Sequence, residues 1–137
     1  MRLVWHGEKV TQKAMTGADA FCSQVAKDIV REAKLGMKGP RSGAVPPQGK
    51  RIPGWIRQRS APGEPPAVQS QRLVGSIVAE KLGLAKYRAG TNVDYGFWLE
   101  LGTRRIRPRP WLRPALMRVR QKMKVGGQLP KGWGVNW

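Results

Sequence analysis

Few side chains in this sequence are equipped for covalent or acid–base chemistry. His6 and Cys22 are the only histidine and the only cysteine. His6 lies in a polar N-terminal stretch, whereas Cys22 falls on an apolar stripe of helical period. A nucleophile–base pair would need the fold to bring them together. A cysteine packed in a helix as a small hydrophobe is the simpler reading. One histidine and one cysteine cannot complete a closed zinc site. The eight acids are scattered singly, with none paired for general acid and base work. No glycine loop lies between a strand and a helix to cradle a phosphate. The expectation is a protein that is not an enzyme, with no catalytic, metal-binding or cofactor-binding residues.

The cations are the other candidate chemistry. The chain carries 26 Lys and Arg against 8 Asp and Glu, a net charge of +18. Such an excess attracts polyanions, nucleic acid above all. From residue 101 onward there are ten basic residues and no acid. Arg104, Arg105, Arg107, Arg109, Arg118 and Lys122 are the candidates for contact with DNA or with an acidic partner. A solvated face is the ordinary meaning of a basic run. No recognition-helix or zinc-finger pattern accompanies this one, so any DNA contact is expected to be to the phosphate backbone, without sequence reading.

Immediately before that run stands Tyr95-Gly96-Phe97-Trp98-Leu99-Glu100-Leu101-Gly102-Thr103. As a short helix it puts Tyr95, Trp98 and Leu99 on one face, with Gly102 where a C-terminal glycine cap belongs. Glu100 is the last acid of the chain, and Arg104 and Arg105 are its nearest partners in sequence. Two roles are open for the apolar residues, core packing or subunit contact. Core packing is the reading for Leu99 and Leu101.

Several elements must position these groups. From about Val10 to Leu35, Ala14, Ala18, Cys22, Val25, Ile29 and Ala33 recur at helical spacing, widened by Phe21, Ala26 and Val30. Thr16 to Asp19 resembles a capping box that would start this helix late or split it. Gly36 or Gly39 should end it, and Pro40 forbids continuation. Residues 36–69 hold six glycines and seven prolines and read as an extended arm, or else as a solvated linker. Within the arm, Pro53-Gly54 is a type II turn pair that would present Trp55 and Ile56 near its tip. Ser60 to Pro66 reads as extended and stiff. Leu73, Val74, Ile77 and Val78 fit a short helix, while a strand could begin at Ser76. Two antiparallel strands are expected at about 76–83 and 86–94. Pro110 and Pro114 suit the start of a second helix, with Leu112, Ala115, Leu116, Val119 and Met123 on its apolar face. Residues 126–137 form a glycine-rich tail whose large apolar groups are Trp133 and Trp137.

The fold expected is therefore α+β: one domain over 1–125, with a long N-terminal helix, a small antiparallel sheet beside the extended arm, and a C-terminal helix. A single cysteine excludes a disulfide framework, and the N-terminus has no secretory h-region. No apolar run reaches membrane-spanning length. Synthesis in a reducing cytoplasm is expected, with no membrane partner.

Taken in order, four segments resemble the tail-completion, or head–tail joining, family of long-tailed bacteriophages. They are Ser60-Ala61-Pro62-Gly63-Glu64-Pro65-Pro66, Leu73-x-x-Ser76-Ile77, Tyr95 to Thr103, and Arg109-Pro110-Trp111-Leu112-Arg113-Pro114-Ala115-Leu116. The resemblance spans about residues 10–124. It departs at Gln71-Arg72, where members carry Thr-Gly. It implies a structural virion protein of the neck. Such subunits assemble as a ring, commonly hexameric, between the head connector and the tail tube, around the channel through which double-stranded DNA passes. The adjacent tail-terminator layer is the nearest alternative position. Before assembly the subunit would reside in the host cytoplasm.

In that role Trp55, Ile56, Tyr95, Trp98, Glu100, Trp111, Trp133 and Trp137 are the candidate subunit or partner contacts, because aromatic and charged groups commonly anchor interfaces. A rival reading rests on charge alone: a monomeric, sequence-nonspecific nucleic-acid-binding protein.

Overall fold

The computed structural model describes residues 7–43, 59–68 and 71–126. The element order is α1 (Gly7–Lys38), α2 (Arg72–Ser76), β1 (Ile77–Gly83), β2 (Lys86–Thr91), α3 (Asp94–Leu101) and α4 (Leu112–Val125). This is the α+β architecture expected, with a long first helix, a two-stranded antiparallel sheet and a C-terminal helix. His6, the Pro53-Gly54 turn with Trp55 and Ile56, and the tail residues Trp133 and Trp137 lie outside the described residues.

Helix α1 runs unbroken for 32 residues, about 48 Å at 1.5 Å per residue. Thr16 does not split it; its hydroxyl donates to the Gln12 carbonyl one turn back. The helix also passes through Gly36, because Met37 is buried in the core beyond it. Arg41 Nη2 donates to the Gly36 carbonyl at 2.8 Å, satisfying one of the acceptors a helix end leaves open. Gly36 itself lies against α4, where an added Cβ would come 3.1 Å from Arg118 Nη1. At the other end, residues 11–18 are exposed, and packing begins only at Asp19.

The β1–β2 hairpin lies along α1. Its register pairs Ile77 with Thr91, Ala79 with Ala89 and Lys81 with Tyr87, so these side chains share one face. That face is fixed to α1 by Asp19. Its carboxylate accepts hydrogen bonds from Lys81 Nζ at 2.7 Å, the Ala85 amide at 2.9 Å and the Tyr87 hydroxyl at 3.3 Å. These donors, Lys81 foremost, hold the Asp19 carboxyl below the ordinary carboxylate range. The other face, with Val78 and the Glu80–Arg88 ion pair, is open to solvent. The short-helix and strand readings of 73–78 both hold in succession: α2 ends at Ser76 and β1 begins at Ile77. The second strand stops at Thr91, short of the expected Asp94, because Asp94 already belongs to α3.

Segment 59–68 is not uniformly extended. Ala61 to Glu64 form a turn closed by the Glu64 amide on the Ala61 carbonyl at 3.1 Å, with Gly63 at φ 86°. Pro followed by a positive-φ Gly is the type II pattern. Glu64 then ties segment 59–68 to Ser42, just beyond α1. Its carboxylate accepts from the Ala61 amide at 2.9 Å, from the Ser42 amide at 3.2 Å and from the Ser42 hydroxyl. These bonds, the Ser42 hydroxyl first, lower its pKa.

One core unites the elements: Ala33 and Met37 of α1, Leu73 of α2, Ile77 of β1, Ala115 of α4, and Trp111 just before α4. Among the described residues eight hydrophobics are buried, while twelve large ones are exposed. The core that these residues form is thin.

Candidate interaction surface

Helix α3 is short, and its burial decides what it can do. Gly96 faces inward so closely that a Cβ there would meet Thr91 Cγ2 at 2.7 Å and Leu73 Cδ1 at 2.9 Å. With a glycine at the contact, the backbone of α3 lies against the core and its large side chains are left outside. Phe97 is 56% exposed, Trp98 52% and Leu101 59%; Tyr95 is also exposed, and Leu99 half-buried. The expectation that Leu101 belongs to the core is corrected: the inward positions of α3 are Gly96, Leu99 and Glu100. Phe97 and Trp98 stack edge to face, their ring centroids 5.1 Å apart.

The chain then reverses sharply. Gly102 takes φ 77° and donates its amide to the Trp98 carbonyl at 2.9 Å. Thr103 and Ile106 exchange backbone hydrogen bonds of 2.8 and 3.3 Å, and the Thr103 hydroxyl accepts from the Ile106 amide at 3.1 Å. Arg104 and Arg105 are thereby placed at the tip of a closed turn, both exposed. Ile106 folds back beside α3. Tyr95, Trp98, Leu99, Thr103 and Ile106 line a shallow, almost wholly apolar cleft of about 380 Å³, with the two arginines on the adjoining turn.

Glu100 does not pair with Arg104 or Arg105. Its carboxylate accepts from the backbone amides of Trp111, Leu112 and Arg113 at 2.6, 2.8 and 2.9 Å. These are open donors at the start of α4, whose own N-cap residue supplies no side-chain hydrogen bond. A carboxylate from another element therefore caps α4 and also meets the positive end of its dipole. Trp111, expected at an interface, is 4% exposed and belongs to the core. Its indole Nε1 donates to the Gly96 carbonyl at 2.9 Å, so the proline-bounded segment is turned inward there.

The basic candidates separate into free and engaged groups. Arg104 and Arg105 are exposed on the turn, and Arg107 is exposed just beyond it. Arg109 is half-buried, its amide bonded to the Leu99 carbonyl at 2.7 Å. Arg118 lies over Gly36. Lys122 is tied to Glu32 of α1 at 2.5 Å, which makes it a link between helices before it is a free phosphate contact. Arg113 and Lys124 are also exposed on α4; the 113, 117, 120, 124 spacing of Arg113, Met117, Arg120 and Lys124 marks them as one stripe.

Most of the acids are engaged within the fold. Asp19, Asp28, Glu32, Glu64, Glu80 and Glu100 all bond to groups of the same chain. Of the eight acids only Glu8 and Asp94 remain. Among the described residues no cluster of three or more His, Cys, Asp or Glu is placed to hold a metal ion, and no helix is long and apolar enough to cross a membrane. Comparison with protein families, with curated proteins and with solved structures finds no match for this chain.

Proposed function

We propose that this chain is a structural subunit of the head–tail neck of a tailed bacteriophage, in the tail-completion position, working as a ring around the DNA channel. The observation that carries the reading is the pairing of four motifs in register with a fold that leaves many large apolar groups of the described residues outside, Phe97 and Trp98 among them. Among the described residues twelve large hydrophobics are exposed, while eight hydrophobics, three of them alanines, are buried. A chain of this kind gains burial by assembly. Head-to-tail contacts that close give a ring. In the neck reading the α3 surface serves contacts with a different protein, the head connector or the tail tube. Arg107 and the α4 stripe face the DNA.

Electron microscopy of purified particles tests this directly. Density for the subunit at the neck is expected, and particles whose neck lacks it overturn the reading.

A second reading has its own support: the chain carries 26 Lys and Arg against 8 acids, and six of those acids bond to groups of the same chain. On that reading the free subunit binds duplex DNA without sequence preference, with an affinity falling steeply as salt rises. Negligible duplex binding at moderate ionic strength removes it.

A further inference from the structure

We infer that the cleft formed by Tyr95, Trp98, Leu99, Thr103 and Ile106 is a docking site for an acidic segment of a different protein, one that inserts an apolar side chain between flanking Asp or Glu residues. The inference rests on this surface alone and does not require the neck reading.

The floor of the cleft is apolar, with Trp98 half-exposed and supported edge to face by Phe97. A partner side chain entering it would shed water from an indole, a phenol ring and two aliphatic chains. Tryptophan, tyrosine and arginine are the residues around which binding energy concentrates. Duplex DNA is a poor occupant of such a floor, because its bases are already stacked inside the helix and its phosphates gain nothing from an apolar wall.

Charge selects the partner. Arg104 and Arg105 stand on the turn next to the cleft, closed by the Thr103–Ile106 hydrogen bonds, so their positions are set before binding. No acid follows Glu100 in the chain, and Glu100 itself is held by three amides of α4. The only other acid of α3 is Asp94, at its far end. The lining of the cleft therefore carries no carboxylate and has cations beside it, with Asp94 next to Tyr95 at the end away from the arginines. A second copy of this chain, at +18 with six of its eight acids engaged, is electrostatically the wrong partner. The segments beyond the described residues carry no acid after Glu100 either, so the tail is no better matched.

The test is selection of a random-sequence peptide display library against the full-length chain, with duplex DNA as competitor. Enriched peptides should combine Leu, Phe or Trp with several Asp or Glu. The best of them, made synthetically, should bind Trp98→Ala at least about ten-fold more weakly. An Arg104→Gln/Arg105→Gln variant should bind weakly as well and lose most of the salt dependence. Trp98 and both arginines are exposed, and unchanged thermal melts would establish that these variants are folded. The inference is overturned by enrichment of peptides without acids, by no enrichment at all, or by binding indifferent to Trp98. It is equally overturned if Trp98→Ala dissolves a homo-oligomer, or if binding appears only after residues 127–137 are removed; the occupant is then a sister chain or the tail. Ring imaging succeeds or fails separately from all of these.

Discussion

Glu100 holds Trp111 by its backbone: the carboxylate accepts the Trp111 amide at 2.6 Å, eleven residues along the chain. The same residue's indole returns to α3 through the Gly96 carbonyl. One turn of α3 thus supplies both the cap of α4 and the acceptor that orients its buried tryptophan. Glu100→Gln should keep part of the cap and Glu100→Ala should lose it. The loss for Ala should be about 1–2 kcal/mol, the range for removing an N-cap. Chemical denaturation of both variants checks this. Equal stability of Glu100→Ala and wild type would show that the three amides find water just as readily.

Much of this arrangement was legible in sequence, for identifiable reasons. The α3 boundary and its Gly102 stop arise from local chemistry, as do the hairpin and the apolar face of α4. The partners of Glu100 were not legible, because proximity in sequence favoured Arg104 and Arg105 while the fold brought the open amides of α4 closer. Trp111 and Leu101 exchanged their expected places for one cause. Gly96 lets α3 lie tight on the core, which turns Leu101 outward and leaves room for the indole within. A glycine inside a helical pattern that is otherwise rich in large residues is the signal that could have revealed it. Likewise Met37, three residues short of Pro40, could have shown that α1 outlasts Gly36.

Two glycines should resist substitution for different reasons. Gly96→Ala favours helix by intrinsic propensity, yet its Cβ meets Thr91 and Leu73 inside 3 Å, so a net loss of about 1–3 kcal/mol is expected. Gly102→Ala places a side chain at φ 77°, ψ 176° and within 2.9 Å of the Ile106 carbonyl and the Pro108 ring. It should cost about 1–3 kcal/mol through strain and also blur the Arg104–Arg105 turn. Denaturation midpoints measure the first effect, and amide exchange across 103–106 the second. A Gly102→Ala variant with undisturbed exchange in that turn would refute the strain argument.

The Glu32–Lys122 link makes stability depend on pH in a definite direction. Glu32 is nearly buried, 8% exposed, and the Lys122 ammonium holds its carboxyl below the ordinary value of 4.5 against the opposing effect of burial. A carboxyl depressed in the folded state contributes stability that is complete above its unfolded pKa. That contribution is lost as pH falls through the folded one. Glu32→Gln should therefore reduce stability at neutral pH and flatten the decline below about pH 4.5. Lys122→Met should cost about 1–3 kcal/mol at neutral pH by leaving a buried carboxylate without its donor. Urea unfolding as a function of pH reads both; parallel curves for wild type and Glu32→Gln on the acid side would contradict the assignment.

Asp19 should govern the hairpin rather than the core. Its three donors lie on β1, on the turn and on β2, so Asp19→Asn replaces an acceptor shared among three elements with a group that can serve only some of them. Faster amide exchange is expected across residues 82–87, with the α1–α4 core unaffected. The sign with pH again comes from the depressed carboxyl: hairpin protection persists above the usual aspartate range and weakens as acid protonates the side chain. Uniform loss of protection over the whole chain would mean that the hairpin and core unfold as one unit.

The two tryptophans of the 95–113 region should behave as opposites, and the contrast separates fold from function. Trp111 is 4% exposed and hydrogen-bonded, whereas Trp98 is 52% exposed beside the cleft. Trp111→Ala removes a large core side chain and its indole bond and should cost about 3–5 kcal/mol, enough to unfold a chain with so few buried hydrophobics. Trp98→Ala removes mostly solvated surface and should change stability by less than about 1 kcal/mol while weakening partner binding at least about ten-fold. Paired denaturation and binding measurements on the two variants decide the matter. If Trp98→Ala destabilises the chain as much as Trp111→Ala does, α3 is a structural element first, and the surface it presents is not a separate interaction site.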